Sequence, residues 1–169
     1  TVDINGTKAV DIGTITSTAM TTVSVDAASG ALTYAAIGAD STKMSSVELT
    51  AAAGAIVGDA AIGKADNASA LSVTASAKDA IDLGAILSTK VGNVSVTNTN
   101  PLAKDLDVGA IGANATEIGT ITMSGSGAVT IGLIGNATPA ATSVGAINLT
   151  STLGKVDGGA VLTDVKDAT

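Results

Sequence analysis

The sequence contains no arginine, histidine, cysteine, glutamine, tryptophan or phenylalanine, and its one aromatic residue is Tyr34. Without His or Cys, the usual general base, thiol nucleophile and soft metal ligands are missing. Without Arg, there is no bidentate clamp for phosphate or carboxylate. The absence of cysteine excludes a disulfide framework. Eight lysines, scattered singly, stand against 15 acids and leave a net charge of -7. That balance opposes nucleic-acid binding, which needs cations to displace counterions. No apolar run approaches the ~20 residues that span a bilayer. The expectation is a protein that is not an enzyme, needs no cofactor, and binds neither nucleic acid nor the membrane interior.

What is present is aliphatic and periodic. Hydrophobic residues make up 46% of the 169, and they are almost all Ala, Val, Ile and Leu. A motif of apolar-x-apolar plus a small polar residue opens at Val2 and returns at Val23, Val47, Leu71, Val94, Ile121 and Ile147, roughly every 24 residues. A second motif ends in a small-small-aliphatic step, as in Val10-Asp-Ile12-Gly-Thr-Ile15, Ile81-Asp-Leu83-Gly-Ala-Ile86 and Leu106-Asp-Val108-Gly-Ala-Ile111. A fixed period of 20 to 50 residues marks a stacked array, and alternation by two marks strands. Together they predict an all-β fold. It is a single-domain β-solenoid over residues 1–169, with about seven coils of about 24 residues and two to three short strands per coil.

Alternation sends Val47 and Leu49 inward and Glu48 and Thr50 outward. The triplets Met44-Val47-Leu49 and Val91-Val94-Val96 add a step of three, which implies a corner. Glycines recur in the second motif at Gly13, Gly84, Gly109, Gly132 and Gly159, where a corner would want positive φ or close backbone approach. Stacking predicts one dry column through Val23, Val47, Leu71, Val94, Ile121 and Ile147, with neighbours about 4.8 Å apart. Terminal coils then expose unpaired backbone groups and an apolar mouth. Val2, Ile4, Leu149 and Val161 are therefore the candidate assembly residues. The partners expected there are copies of the same chain or the remainder of a longer surface protein. The opening at Thr1 suggests a processed chain or a fragment.

Three outward features are candidate sites. Ser72, Thr74, Ser95, Thr97, Thr122, Ser124 and Thr150 form a two-wide hydroxyl strip that resembles the Thr-x-Thr faces of ice-binding β-solenoids, although Asp26, Glu48 and Asn148 interrupt it. That likeness implies ordering of water, and a glycan-binding adhesin is the companion alternative. Asp11, Asp82, Asp107 and Asp157 share another expected column, interrupted by Thr33, Gly58 and Thr130. Stacking Asp82 on Asp107 is repulsive, and calcium is the one candidate ion that would relieve it. Finally, Asn5, Asn67, Asn93, Asn114, Asn136 and Asn148 each begin an Asn-x-Ser/Thr acceptor for N-glycosylation.

With these repeats in view, the acidic, cysteine-free, Ala/Gly/Thr/Ser/Val-rich chain resembles microbial extracellular β-solenoid surface proteins, such as repetitive adhesins, S-layer subunits and matrix filaments. The resemblance implies an extracellular or cell-surface setting, a structural or adhesive role, and self-assembly.

Overall fold

The computed structural model describes residues 1–135, 142–158 and 165–166. Among these there is no helix. The chain winds through two parallel sheets, visiting each in turn. The first winding holds β1 (Val2–Gly6) and β2 (Val10–Ile15), and the second holds β3 (Thr22–Ala27) and β4 (Leu32–Ile37). The third consists of β5 (Ser46–Ala51), β6 (Ile56–Gly58) and β7 (Ile62–Gly63). The fourth consists of β8 (Ala70–Ala77), β9 (Ile81–Leu83) and β10 (Ile86–Leu87). Next come β11 (Lys90–Asn98) with β12 (Leu106–Val108), then β13 (Glu117–Ile118), β14 (Ile121–Gly125) and β15 (Val129–Ile131). β16 (Thr142–Val144), β17 (Ile147–Ser151), β18 (Val156–Gly158) and β19 (Val165–Lys166) complete the described strands.

This is the expected β-solenoid, with two or three strands per winding. The count differs slightly. Seven rungs, β1, β3, β5, β8, β11, β14 and β17, are joined by six ladder steps, so the winding makes about six turns rather than seven. Counting motifs counts rungs, and a stack has one fewer step than rungs.

Stacked aliphatic columns fill the interior, and three of them run its length with particular regularity. One runs Val2, Val23, Val47, Val73, Val94, Ile121 and Ile147. The second runs Val10, Leu32, Ile56, Ile81, Leu106, Val129 and Val156 on the opposite sheet. The third is isoleucine throughout: Ile15, Ile37, Ile62, Ile86, Ile111 and Ile134. Its members from Ile37 to Ile111 are wholly buried. Identical β-branched side chains stacked in register suit a pleated, buried ladder.

The first column corrects the expected one. Val47 pairs with Val73, while Leu71 pairs with Val91, and the register shifts between Val91 and Val94. In β11 the residues Gly92 and Asn93 supply the step of three at the corner, whereas β8 passes from Leu71 to Val73 in two. The extra residue is accommodated as a β-bulge. Because the slip is two residues, every side chain keeps its face, and Leu71 remains fully buried.

Glycine acts in two ways. Gly38, Gly63, Gly112 and Gly135 follow members of the isoleucine column, and each has positive φ, between 66° and 85°. There the chain turns out of the second sheet, a conformation that costs a side-chain-bearing residue. The glycines expected at the corners serve differently. A Cβ on Gly84 would lie 2.1 Å from the Ala60 carbonyl oxygen, and one on Gly132 would lie 2.9 Å from the Gly109 carbonyl carbon. These two permit backbone-on-backbone contact between windings and neither has positive φ, whereas a Cβ on Gly13 would meet nothing within 4 Å. Gly159 lies outside the described residues.

Candidate functional site

The two ends of the stack differ from its interior in burial at equivalent positions. β1 has a single ladder partner, β3, and among the described residues β17 pairs only with β14. Val2 and Ile4, which head columns whose next members Val23 and Val25 are 0–1% exposed, are only partly buried, as are Ile147 and Leu149. Val156, last in its column, is 45% exposed although Val129 beneath it is fully covered. The expected assembly residues Val2, Ile4 and Leu149 thus lie at the two ends of the stack, the second of which also carries β19, paired with β16 beside β17; Val161 lies outside the described residues. Leu153, 65% exposed in the turn beside them, was not singled out by pattern because it sits in no alternating segment.

The hydroxyl strip occupies the outer face of the first sheet, with one change of register. Its first column reads Asp3, Ser24, Glu48, Thr74, Ser95, Thr122 and Asn148, and its second reads Asn5, Asp26, Thr50, Ser76, Thr97, Ser124 and Thr150. Thr74 therefore belongs to the first column and Ser76 to the second. Ser72 pairs with Ser46 at the corner and leaves the strip, a consequence of the two-residue slip. Thr74, Ser95 and Thr122 alongside Ser76, Thr97 and Ser124 make an uninterrupted three-rung patch of hydroxyls.

On the second sheet the outward column is Asp11, Thr33, Val57, Asp82, Asp107, Thr130 and Asp157. Val57, 37% exposed, takes the place expected for Gly58. Asp82 and Asp107 are stacked as expected. Partial desolvation, with the neighbouring Asp82 charge adding to it, raises the carboxyl of Asp107 above the usual carboxylate range. Elsewhere Thr33 Oγ1 donates to Asp11 Oδ1 at 2.8 Å. No group of three or more acids that could hold a metal ion occurs among the described residues, so Asp82 and Asp107 stand as an isolated pair. Lys104 bonds to Asp79 across windings at 3.0 Å and holds its carboxyl below the usual range, with the Ala80 N–H assisting. Lys90 pairs with Glu117 on adjacent rungs at 3.5 Å.

The six asparagine acceptors separate by exposure. Asn5, Asn93, Asn114 and Asn148 are exposed. Asn67 is fully buried, and its Nδ2 donates to the Met44 carbonyl at 2.7 Å. Asn136 lies outside the described residues. Asn67 belongs to a buried polar corner that sequence pattern did not reveal. Ser41 Oγ donates to the Met20 carbonyl at 2.6 Å, and Ser88 Oγ donates to the Asn67 carbonyl at 3.1 Å. These side chains donate to carbonyls of the adjacent winding outside the strands, adding to the backbone bonds there. The residue type hinted at turns, but turn residues usually face water.

Tyr34 was likewise visible only as a lone aromatic. It is 2% exposed and lies over Gly58 of the next winding, where a Cβ would fall 2.1 Å from its Cζ. Burial pushes its phenol well above the usual range, opposed in part by the backbone at Gly84.

No protein family, no curated protein and no solved structure matches this chain. No helix among the described residues is long and apolar enough to cross a membrane.

Proposed function

We propose that this chain is a non-enzymatic, extracellular structural protein whose copies assemble into a surface layer, matrix or filament. The observation that supports this reading best is the pair of open ends. Interior aliphatic columns finish in partly exposed Val2, Ile4, Ile147 and Leu149, beside strand edges whose backbone groups lack a ladder partner among the described residues. Such edges template the addition of another strand. The likeness in repeat style to microbial surface β-solenoids points the same way. Light scattering across a concentration series, with electron microscopy of the same samples, tests the reading. Growth into fibres or sheets is expected, and a chain that stays monomeric at millimolar concentration sinks it.

A second reading draws on the three-rung hydroxyl patch, a regular array with neighbouring rungs about 4.8 Å apart. It would order water at an ice surface or hold a glycan. Thr97→Tyr, which breaks the array at its centre, should abolish thermal hysteresis. No hysteresis in the parent chain at millimolar concentration removes the ice reading.

A further inference from the structure

We infer that copies join head to tail in unbroken register, with β17 of one copy pairing parallel to β1 of the next so that Ile147 meets Val2 and Thr150 meets Asn5. The inference rests on the assembly reading above and adds its direction, register and electrostatic control.

The internal ladders dictate this geometry. Six successive steps place Val2, Val23, Val47, Val73, Val94, Ile121 and Ile147 in one column and Asn5 through Thr150 in another. Applying the same step once more seats Val2 and Ile4 of a second copy over Ile147 and Leu149. The four partly exposed side chains would then cover one another.

The second sheet gives an independent match through its backbone. The N–H that opens each rung donates to the carbonyl just before the next: Val10 to Ala31 at 2.9 Å, Leu32 to Ala55 at 2.9 Å, Leu106 to Ala128 at 2.8 Å and Val129 to Lys155 at 2.9 Å. Val156 is the next donor in that series, and Ala9 carries the acceptor that would precede its first member. One step joins them and brings Val10 over the exposed Val156. Pairing two like ends by a two-fold would run the strands antiparallel and match neither series. A head-to-tail contact is heterologous and does not close on itself, so it yields filaments.

The same step sets Asp157 of one copy beside Asp11 of the next, reproducing across the junction the Asp82–Asp107 pair inside the chain. The uncharged cross-strand neighbours are Thr33 and Thr130, and Lys8 and Lys155 lie in the adjoining turns. The junction therefore carries a like-charge pair that weakens it.

The absence of native cysteine allows a direct test. Asn5→Cys and Thr150→Cys, both at exposed positions, are made as separate chains and mixed under mild oxidation. Adjacent parallel rungs are about 4.8 Å apart, within the usual Cα separation of a disulfide. Ser76→Cys with Thr97→Cys in one chain, paired inside the stack, is the internal control. A cross-linked dimer is expected from the mixture, little from either variant alone, and at least fivefold less when Asp3→Cys replaces Asn5→Cys. Asp157→Asn should lower the concentration for half-assembly roughly fourfold, the factor for removing one of two charges about 5 Å apart in water. Homodimers from a single variant, or no cross-link while scattering shows assemblies, overturn the register and leave the assembly reading standing. An unchanged half-assembly concentration for Asp157→Asn overturns the register too. No cross-link and no growth refute both.

Discussion

Tyr34 and Gly58 offer the sharpest test of how this interior is packed. The phenol ring lies where the side chain of the next rung would stand, and that rung carries glycine at the position. Adding one methyl by Gly58→Ala places a Cβ 2.1 Å from Tyr34 Cζ and 2.2 Å from its hydroxyl oxygen. Ordinary carbon contacts lie near 3.5–4.0 Å, so the ring must move by more than an ångström. At 2% exposure it has no route to solvent. Overpacking of this kind costs about 1–3 kcal/mol. The backbone at Gly58 has no positive φ, so alanine is otherwise welcome there. Once the ring is gone, the same substitution should stabilise by about 0.4–1 kcal/mol through the unfolded chain. Tyr34→Ala alone should cost about 3–5 kcal/mol, as aromatic truncations in cores do.

The four-member cycle should therefore return a coupling of about 1.5–4 kcal/mol. Urea unfolding followed by far-ultraviolet circular dichroism is the appropriate assay, because Tyr34 is the sole aromatic fluorophore and two members lack it. The denaturant slope must stay constant across the set, since loss of all-or-none unfolding would void the comparison. An equal cost for Gly58→Ala in both backgrounds would refute the packing argument.

Other substitutions probe other parts of the stack. Ile86→Ala, at the centre of the isoleucine column, should cost about 2–5 kcal/mol by the same urea assay. Asn67→Ala leaves the Met44 carbonyl without its donor and should cost about 1–3 kcal/mol. Expression in a glycosylating host, read by mass spectrometry, should show occupancy at exposed acceptors such as Asn114 and none at Asn67. Asp107 has a raised folded-state value, so its contribution is present in acid, below the unfolded value, and is lost as pH rises through the folded one. Asp107→Asn should therefore raise the unfolding midpoint at pH 7, by less than about 1 kcal/mol for a largely exposed pair, and leave it unchanged in acid. Asp79, with a depressed value, works in the opposite sense. Lys104→Met should remove stability that is present at neutral pH and fades as pH falls through the carboxylate range.

The fold was legible because burial in a strand depends on parity, and parity survives errors of register. Motif spacing alone aligns Leu71 with Val47 and Val94, yet the observed register differs by two residues and Leu71 still faces inward. The same slip had a larger effect on the surface, where identity and not parity matters: it moved Ser72 out of the hydroxyl strip and brought Ser76 in. What fixed the register was the number of residues in each corner, two between Val91 and Val94 against one between Leu71 and Val73. Corner length has no hydrophobic signature. The polar corner was hidden for a related reason. Ser41, Asn67 and Ser88 are turn residues by type, and only the neighbouring winding turns them into interior hydrogen-bond donors.

The exposed ends follow from the way the repeat gains its stability. Each winding here buries its aliphatics and satisfies its backbone chiefly through the winding above and the winding below, so an interior rung has two such partners and an end rung one. Adding a rung from another chain offers the same contacts as adding one from the same chain, less the entropy of association. On the assembly proposal, the described windings themselves supply no physical stop. Restraint must come from residues that break its uniformity, and charge is the least disruptive means because it leaves the buried columns unchanged. Asp82 beside Asp107 shows that such a pair is tolerated inside the stack, where the chain is continuous and the surrounding ladders outweigh it. The same pair between separate molecules would have to be offset by association alone, so it would act there as a brake. Replacing Asp82 with Asn should accordingly change stability and leave half-assembly concentration unaltered, while Asp157→Asn should do the reverse. Equal effects of the two on assembly would mean that charge acts through the net total and not through the junction.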